Sequence, residues 1–557
     1  MKKTIAIISL VMCLLFSAIP VGAESIFLQM NTASFEKYQT MSADEICAEK
    51  KMLPTDQLVS EIKEVEKISE GSSSDYLIAM LVALTEKDTN YSQDKLLHMM
   101  QDPDTGAGLN EALVEIYIQD DMDQKSLLNL LDNNDVDINK KKTIVSRAHF
   151  SLEELSDIFC FKDEALSIIA MKKIAAKDPN KALQLSLPLL NDISNQSDEK
   201  LIAACLGAAR YYERKGCSSK SSFEAGREKA VEKLKQIFLE SKNDLVQDQA
   251  IYAMSRICDY DLFCDLIESN KVDFELKGSV IERNIGKMIE WIEKASCKKD
   301  IEIVLTAMRL HPIFEIGESL KKALNTGRIN YDAEIVSIAK YAEESGVKGA
   351  YKDENTIEYA ARIDSKHTGG GSGGAWAVPT AGECKGYALY RDGVLGNIND
   401  HAGLMDENNL RCFKPVLHAP GPGDVVEWGW WSDFLGNNTF LGIYHPRTCN
   451  MEEETRNSFV LKARELRGTS YTFLKQIYYT VDGHTWVVPE NITDLRCDGV
   501  VEYTYEWFGY RVGGGDSDWD ITRNSSDTRS AHSGTKITPR KQHNNLLSYA
   551  GGYDLIQ

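Results

Sequence analysis

The amino-acid sequence predicts a chain with two structured parts, an all-α region followed by an α+β domain. Apolar residues recur at helical spacing from about residue 30 to about residue 360. A run of glycines at 369–374 interrupts this pattern, and the chain beyond it is rich in Trp, Tyr and Gly, with short β-like runs between turn residues. A length of 557 residues is also more than one hydrophobic core usually supports, so more than one domain is expected.

The first residues have the pattern of an export signal. Two lysines follow Met1, residues 5–19 are mainly apolar, and a small-residue cleavage site ends at Ala23. This pattern predicts a signal peptide over 1–23 and a secreted or cell-envelope protein. An uncleaved membrane anchor is the alternative, although the apolar stretch is short for a membrane span.

Composition excludes some classes of partner. The formal net charge of −21 argues against nucleic acid as the main partner. Twelve cysteines are present, and eleven remain once Cys13 leaves with the signal, so at least one stays unpaired while others are expected to form disulfides in an oxidising compartment. The candidates for pairing are Cys258, Cys264, Cys384, Cys412 and Cys449. No group of Cys and His has zinc-site spacing, so neither a metal nor another cofactor is predicted.

Residues 24–366 are predicted to form the all-α region. Apolar stripes such as Val231, Leu234 and Ile237 repeat every three to four residues, and turns rich in Asp, Pro, Gly or Asn separate them. Successive short amphipathic helices resemble the helix pairs of HEAT and armadillo repeats, a class of array that offers a surface to a protein partner. An irregular helical domain is the alternative, because the repeat period is uneven.

The composition predicts the domain boundaries. Residues 367–379 contain the glycine run and are predicted to form a flexible linker. Residues 380–557 then form the second domain. Its tail beyond Val512 contains three consecutive glycines and many Ser, Asp and Asn residues, so the tail is predicted to be partly loose.

Two histidines are predicted to face each other across a β-hairpin. His401 begins a short strand-like run, a polar turn is centred near Asn409, and residues 413–418 form a second run that ends at His418. Directly opposed residues of such a hairpin have Cβ atoms roughly 5 Å apart. Two imidazoles at that spacing suit a catalytic base and the partner that orients it.

Cys497 is predicted to be a nucleophile at the start of a helix. Val500, Val501 and Thr504 share one helical face, which places the cysteine at the helix N-terminus. The peptide dipoles and free N–H groups at that position favour the thiolate, so a lowered thiol pKa is expected. The same N–H groups can contribute to an oxyanion hole.

These segments resemble the NlpC-type superfamily of papain-like cysteine peptidases, many of which cleave peptidoglycan stem peptides. The family nucleophile motif, of the form D-C-S-G-L-V, is matched by R-C-D-G-V-V at 496–501. The family histidine motifs, of the forms H-V-G-I-Y and I-H-A-P, are matched at 401–405 and 417–420. A family G-x-x-Y element is matched at 468–471, so the resemblance implies that Tyr471 lies near the thiolate and helps to bind the oxyanion or substrate.

The order of these motifs resembles the circularly permuted branch of the superfamily, since both histidines precede the cysteine. One departure is Arg496, which replaces the family's Asp before the nucleophile and is predicted to favour a carboxylate or phosphate on the substrate. His445 and His484 are weaker candidates for the base. Glu427, Trp428, Trp430 and Trp431 could line a substrate groove, but an aromatic-rich strand more often belongs to a core.

Three functions are open from the sequence. The first is a secreted hydrolase that cleaves amide bonds in cell-wall peptides, with Cys497 as nucleophile, His401 as base and His418 as its orienting partner. The second keeps the same centre but acts on lipid acyl groups, as a thioesterase or acyltransferase of the permuted branch. The third is a helical scaffold for a protein partner with an inactive second domain.

Overall fold

The computed structural model describes residues 43–68, 80, 83–84, 87, 96–102, 113–114, 117, 124–213, 220–347, 379–394, 399–421, 424–472, 475–480, 485–513, 519–525, 532 and 537–557. The predicted signal peptide, the linker apart from Pro379, and His484 lie outside these residues. The described chain is helical up to residue 347 and has an antiparallel sheet with helices from residue 379 on, which agrees with the predicted helical plus α+β arrangement. None of the helices described combines the length and hydrophobicity that a membrane crossing needs.

Short polar side chains set where many helices of the first region begin. Asp178 accepts hydrogen bonds from the N–H groups of Asn180 and Lys181, and Ser151 forms a reciprocal capping box with Glu154. The helices are α1 (Ala43–Lys50), α2 (Thr55–Ile68), α3 (Gln124–Asp132), α4 (Ile138–Arg147), α5 (Leu152–Phe161), α6 (Ser167–Lys177), α7 (Pro179–Asn191), α8 (Asp198–Glu213), α9 (Lys220–Glu240), α10 (Asp244–Ile257), α11 (Tyr260–Glu268), α12 (Phe274–Arg283), α13 (Ile285–Lys294), α14 (Glu302–Leu310), α15 (Phe314–Asn325) and α16 (Ala333–Ser345).

The helices stack in two rows of alternate helices. In one row α6 packs on α8, α8 on α10, α10 on α12, and α14 on α16. In the other row α7 packs on α9. Consecutive helices also pack as pairs, for example α7 with α8 and α15 with α16. Small side chains such as Ala204, Ala208 and Ala250 are fully buried and allow close approach between the helices.

The second domain is built on an antiparallel sheet. The order of its six strands is β4-β3-β2-β1-β5-β9, and every neighbouring pair is antiparallel. A smaller sheet has the order β6-β8-β7, with β6 and β8 parallel. The strands are β1 (Ala388–Val394), β2 (Asn399–Met405), β3 (Val416–His418), β4 (Glu427–Gly429), β5 (Phe440–Pro446), β6 (Ser470–Tyr471), β7 (Ile477–Tyr479), β8 (Ile492–Leu495) and β9 (Leu547–Gly551).

One buried helix forms the centre of this domain. The domain's helices are α17 (Trp431–Leu435), α18 (Glu453–Arg464), α19 (Cys497–Trp507), α20 (Pro539–Lys541) and α21 (Tyr553–Ile556). All residues of α19 are buried, and the helix packs against both β2 and α18. The predicted helix start at Cys497 is therefore confirmed, although the helix has no solvent-facing side.

Part of the C-terminal tail is ordered. Polar composition predicted a partly loose segment beyond Val512, and most of 514–536 lies outside the described residues, but residues 537–557 form α20, a π-helical turn over Gln542–Leu546, strand β9 and α21. Gln542 is fully buried, and its side-chain amide donates to Glu502 at 2.9 Å and to the Asp498 carbonyl at 3.0 Å. The tail therefore completes the edge of the main sheet and covers α19.

The two parts of the chain are joined by buried ion pairs. Glu490, in the 3-10 turn Pro489–Asn491 before β8, lies between Arg256 and Arg283 of the helical region. Burial opposes ionisation of Glu490, yet these two guanidinium groups hold its pKa well below the usual 4.5. Arg283 also bonds Glu465 at 2.9 Å, so charges of the helical region and the second domain alternate across the interface.

The strand that leads into Cys497 is held by the same interface. Asp494 of β8 accepts hydrogen bonds from Ser146 and, at 2.8 Å, from Arg147. The Lys172 side chain donates to the Ile492 carbonyl at 2.8 Å, and burial lowers the pKa of Lys172 to about 8. Strand β8 is therefore fixed at both ends by residues far away in the sequence.

We expect Glu490→Gln to lower the free energy of unfolding by about 3 kcal/mol, because it leaves two buried guanidinium groups without their shared carboxylate. Urea denaturation of the full chain measures this loss. The control is Glu224→Gln, which removes a more exposed partner of Arg227 and should cost less than about 1 kcal/mol. Equal effects of the two substitutions would contradict a structural role for the interface.

Candidate active site

The two predicted histidines bond to each other. Nε2 of His401 lies 2.9 Å from Nδ1 of His418, and both side chains are buried. The two histidines are diagonal neighbours rather than directly opposed residues. Leu404 pairs with Leu417, and the same register places His418 opposite Gly403. The connecting loop is thus centred one to two residues later than the predicted Asn409. The diagonal spacing is bridged by the length of the two rings.

Small residues and one aromatic ring shape the pocket around the histidines. The ring centroid of Phe434 lies 5.5 Å from that of His401 and 5.4 Å from that of His418. A Cβ atom at Gly429 would lie 2.6 Å from Nε2 of His418, and one at Gly403 would lie 2.9 Å from Phe434. Glycine at both positions therefore makes room for the imidazole pair.

Cys497 meets the strand that carries His401. The cysteine is the first residue of α19 and is not disulfide-bonded. The backbone N–H of Ala402, the residue that follows His401, lies near the sulfur and favours its thiolate. Helix α19 packs on the sheet face that carries Tyr390, Ala402 and Asp400, whereas the His401 and His418 rings lie with Phe434 on the opposite face. The structure therefore brings the two imidazoles together and places the thiol across β2 from them, with no hydrogen bond between the thiol and either ring among the described residues.

The charge state of the cysteine differs from the prediction. Burial raises the pKa of Cys497 to about 12, and this effect exceeds the stabilisation of the thiolate by the N–H groups of Ala402 and Asp498. Burial, together with the charge of Arg391, holds the pKa of His401 well below 6.5 and lowers that of His418 to about 3. The prediction of a lowered thiol pKa is thus wrong for this closed state, in which all three groups are neutral.

Tyr471 and Arg496 are both placed beside the nucleophile. Tyr471 of β6 pairs with Leu495, two residues before Cys497. Arg496 is the N-cap residue of α19, but its side chain is buried and donates to Asp498 at 2.7 and 2.9 Å and to the Ile537 carbonyl at 2.6 Å. The predicted substrate role of Arg496 does not fit this geometry, since its charge is already neutralised by Asp498.

Arg391 is a site residue that the sequence did not indicate. It lies directly opposite His401 in the β1–β2 pair, so the two side chains share one face of the sheet. Its Nε is buried without a hydrogen-bond partner. Only the register of β1 against β2 reveals this position, and neither the turn residues nor the alternation of residues 388–394 fixes that register.

A second cluster lies on the face of β2 against which α19 packs. Asp400, next to His401, bonds Nε2 of His543 at 2.6 Å and the Arg540 guanidinium at 2.9 and 3.1 Å. Although burial opposes ionisation, these two partners lower the pKa of Asp400. The C-terminal segment thereby ties β2 to the side of the sheet that α19 covers.

The weaker candidates lie elsewhere. His445 belongs to β5, which β1 separates from β2, and its Nδ1 contacts the Pro446 carbonyl at 2.9 Å. Trp428 stacks against Arg467 at 3.4 Å, as expected of a structural residue. A cavity of ≈ 230 Å³ opens between the two parts of the chain, but Lys172, Tyr252 and Glu465 are among its lining residues, and none of the three predicted catalytic residues borders it.

One further buried cluster has the residue types of a metal site. Ligand atoms of Glu502, Glu506 and His532 lie within 4.8 Å of one another. Their oxygens already accept hydrogen bonds: Glu502 from Gln476 and Gln542 as well as His532, and Glu506 from backbone N–H groups at 512, 513 and 521. These contacts account for the cluster as a hydrogen-bonded support for α19.

Comparisons with known proteins do not identify a family. No family model, no curated protein and no solved structure matches the chain. A function for the chain must therefore be argued from the geometry of its site.

We expect Gly499→Ala to lower the melting temperature of the protein. A Cβ atom there would lie 2.4 Å from the Gln476 carbonyl oxygen, which belongs to the backbone and also accepts the Arg496 N–H. Overpacking costs about 1–3 kcal/mol. That exceeds the roughly 1 kcal/mol that alanine gains over glycine in a helix. The control is Gly421→Ala, where a Cβ atom meets nothing within 4 Å. A variant at 499 that is as stable as the control would refute tight packing behind the nucleophile.

Proposed function

We propose that the chain is a secreted cysteine hydrolase that cleaves amide bonds in cell-wall (peptidoglycan stem) peptides through a thioester intermediate. One observation carries the proposal: Cys497 begins a helix that packs on β2 beside Ala402, and the preceding residue, His401, bonds to His418 at 2.9 Å. Acyl transfer through a thioester requires the thiol and the base to reach each other, so the movement that admits substrate must also bring the His401 ring to the sulfur.

In this mechanism His401 is the base and His418 orients it. Nε2 of His401 faces His418, which leaves Nδ1 for the thiol proton. The productive tautomer of His401 therefore carries its hydrogen on Nε2 and donates it to Nδ1 of His418. Because burial lowers the pKa of His418 to about 3, His418 stays neutral and can accept this hydrogen bond throughout the reaction.

Acylation begins as the Cys497 sulfur bonds to the substrate carbonyl carbon and its proton passes to His401. That proton then goes to the leaving amine as the C–N bond breaks, and water later hydrolyses the thioester with His401 again as base. The N–H groups at the start of α19, with the Tyr471 hydroxyl, stabilise the oxyanion. Since Cys497 is only 4% exposed, substrate reaches the sulfur after neighbouring groups move.

The finer features of the fold belong to the same proposal. Helix α19 packs on an antiparallel sheet, with the nucleophile at its start and the base on β2, which supports a papain-like core in permuted order. The two rows of helices support a likeness of the first region to HEAT or armadillo arrays. That region positions a cell-wall substrate, or a protein partner that carries it, against the second domain.

Cys497→Ala should abolish release of amines from purified peptidoglycan fragments, because no other group supplies the nucleophile. His401→Ala should do the same, whereas His418→Gln should retain part of the activity, since glutamine can still accept the hydrogen bond from His401. Amine release and mass spectrometry of the fragments measure these losses.

Cys412→Ala is the matched control, a partly buried cysteine of the same domain outside the site. Cleavage of acyl-lipids but not of peptidoglycan fragments would favour the lipid-directed alternative. If the protein cleaves neither acyl-lipids nor peptidoglycan fragments, or if Cys497→Ala keeps full activity, the proposed hydrolase function is refuted and the scaffold function remains.

Alkylation of Cys497 by iodoacetamide should accelerate continuously from about pH 6 to about pH 10. Because the pKa of the Cys497 thiol is about 12, the fraction of Cys497 present as reactive thiolate rises in proportion to the hydroxide concentration over this range. N-acetylcysteine is the comparison and should approach a plateau above about pH 9, because its thiol has an ordinary pKa. A plateau for Cys497 below about pH 7 would indicate a preformed thiolate–imidazolium pair and contradict the neutral resting state.

A further inference from the structure

The cavity of ≈ 230 Å³ between the helical region and the second domain has an apolar middle. On the helical side its wall consists of one stripe of side chains from each of the stacked helices α6, α8 and α10. The apolar members of these stripes are Ile168, Ile169, Ile202, Leu206 and Leu245. The space equals that of roughly eight water molecules, so the cavity can hold a small organic ligand.

Lys172 marks the inner end of this cavity. A second, much smaller cavity adjoins it, and Lys172, Gln249 and Tyr252 line both. The Lys172 amine donates to the Ile492 carbonyl of β8 at 2.8 Å and, within the part of the chain that the structure describes, forms no salt bridge. An ammonium group has three hydrogens to donate, so two of them remain for a ligand.

The carboxylates that act on Lys172 are already bound to other cations. Asp494 pairs with Arg147, and two arginines hold Glu490. Burial lowers the pKa of Lys172 to about 8, so its amine is mainly protonated at neutral pH. A buried cation without a paired anion is costly, and a ligand carboxylate would supply that anion.

The other cations of the cavity wall are less open to a ligand. Arg283 and Arg467 are bonded to carboxylates of the protein, and Lys142 is partly exposed to solvent. Lys172 is therefore the cation at which an anionic ligand group would bind.

Tyr252 brings an unsatisfied hydroxyl to the same end. Tyr252 is only 4% exposed, and among the described residues its hydroxyl has no hydrogen-bond partner. The Arg283 guanidinium lies 4.8 Å from the centre of the tyrosine ring and restricts the movement of that ring. A buried hydroxyl is costly until it is bonded, and a carboxylate at Lys172 would accept its hydrogen.

The mouth of the cavity carries the opposite charge. The exposed Asp198 and its neighbour Glu199 begin α8, and Leu206, which lines both cavities, follows Glu199 by seven residues. Two helical turns separate these positions, so the acidic mouth lies about 10 Å from the inner end. The Asn243 side chain donates to Asp198 at 2.9 Å and holds that carboxylate at the mouth.

We propose that this cavity binds a short apolar peptide with free termini, its carboxylate at Lys172 and its ammonium at Asp198 and Glu199. A peptide of two or three residues spans about 7–10 Å when extended, which matches the separation of the two ends. Its side chains would pack against the isoleucines and leucines of the middle. The site is separate from the proposed reaction centre, so it does not depend on the hydrolase function.

Isothermal titration calorimetry of the full chain with dileucine tests this assignment. Wild type should bind one dileucine, and dileucine amide should bind at least about tenfold more weakly, because it cannot pair with the buried Lys172. N-acetyl-dileucine loses the contact with the more exposed acids and should bind about threefold more weakly. Lys172→Met should weaken binding of the acid to the level of the amide. Tyr252→Phe, which keeps the ring, should weaken binding of the acid more than that of the amide.

The controls separate recognition from general effects. Lys177→Met removes an exposed lysine from the same helix as Lys172 and should leave binding unchanged. Changing both acids, Asp198→Asn with Glu199→Gln, should remove the preference for a free ammonium and keep the preference for the acid over the amide. Thermal melting identifies any variant that fails to fold, and Tyr252→Phe tests the inner end if Lys172→Met does.

Three results would overturn the inference: no binding of dileucine at millimolar concentration, equal binding of the acid and the amide by wild type, or unchanged binding by folded Lys172→Met. If octanoate binds as tightly as dileucine, the ammonium contact is refuted and with it the assignment to a peptide. Binding of dileucine by a protein that cleaves neither peptidoglycan fragments nor acyl-lipids would support this site while refuting the hydrolase.

Discussion

The packing of α19 on β2 brings Cys497, the first residue of the helix, next to Ala402 of the strand that carries His401. Much of the second domain serves this contact. Gly499 lets the helix approach the Gln476 carbonyl, Gly403 and Gly429 leave room for the two imidazoles, and the C-terminal segment holds β2 through Asp400. Close packing on every side of α19 opposes any shift of the helix along β2.

The electrostatics of the site follow from its burial. In water the helix N-terminus would favour a thiolate, but desolvation outweighs the dipole when the sulfur and both imidazoles leave solvent together. A site whose thiol and imidazoles are all neutral needs no counter-ion. A second histidine therefore suits it better as the partner of His401 than a charged carboxylate would. Arg391 is the exception, a charge retained where the other groups are neutral.

Local pattern predicted the pieces of the site, and tertiary packing decided how they meet. The helix start at Cys497 follows from apolar spacing, and the His401–His418 hairpin follows from a polar turn between two short strands. The sequence did not reveal that the loop centre is displaced, so that the rings lie diagonally, or that Arg496 turns back to its near neighbour Asp498. The order of residues 537–557 could not be read from composition, because Gln542 and Arg540 look like surface residues until their partners, Glu502 and Asp400, are known. None of the ten cysteines described is paired, so the disulfides expected from composition are not seen in this part of the chain.

The ion pairs around Glu490 and Asp494 have a consequence for how such a chain can evolve. A glycine-rich stretch between two regions usually marks a boundary that few contacts cross. Here the acidic residues before the nucleophile depend on arginines from several different helices, so a foreign helical partner would have to reproduce a whole charge pattern at once. The helical region and the second domain are therefore expected to be inherited together. A substitution at the interface in one of them should be accompanied by a compensating substitution in the other.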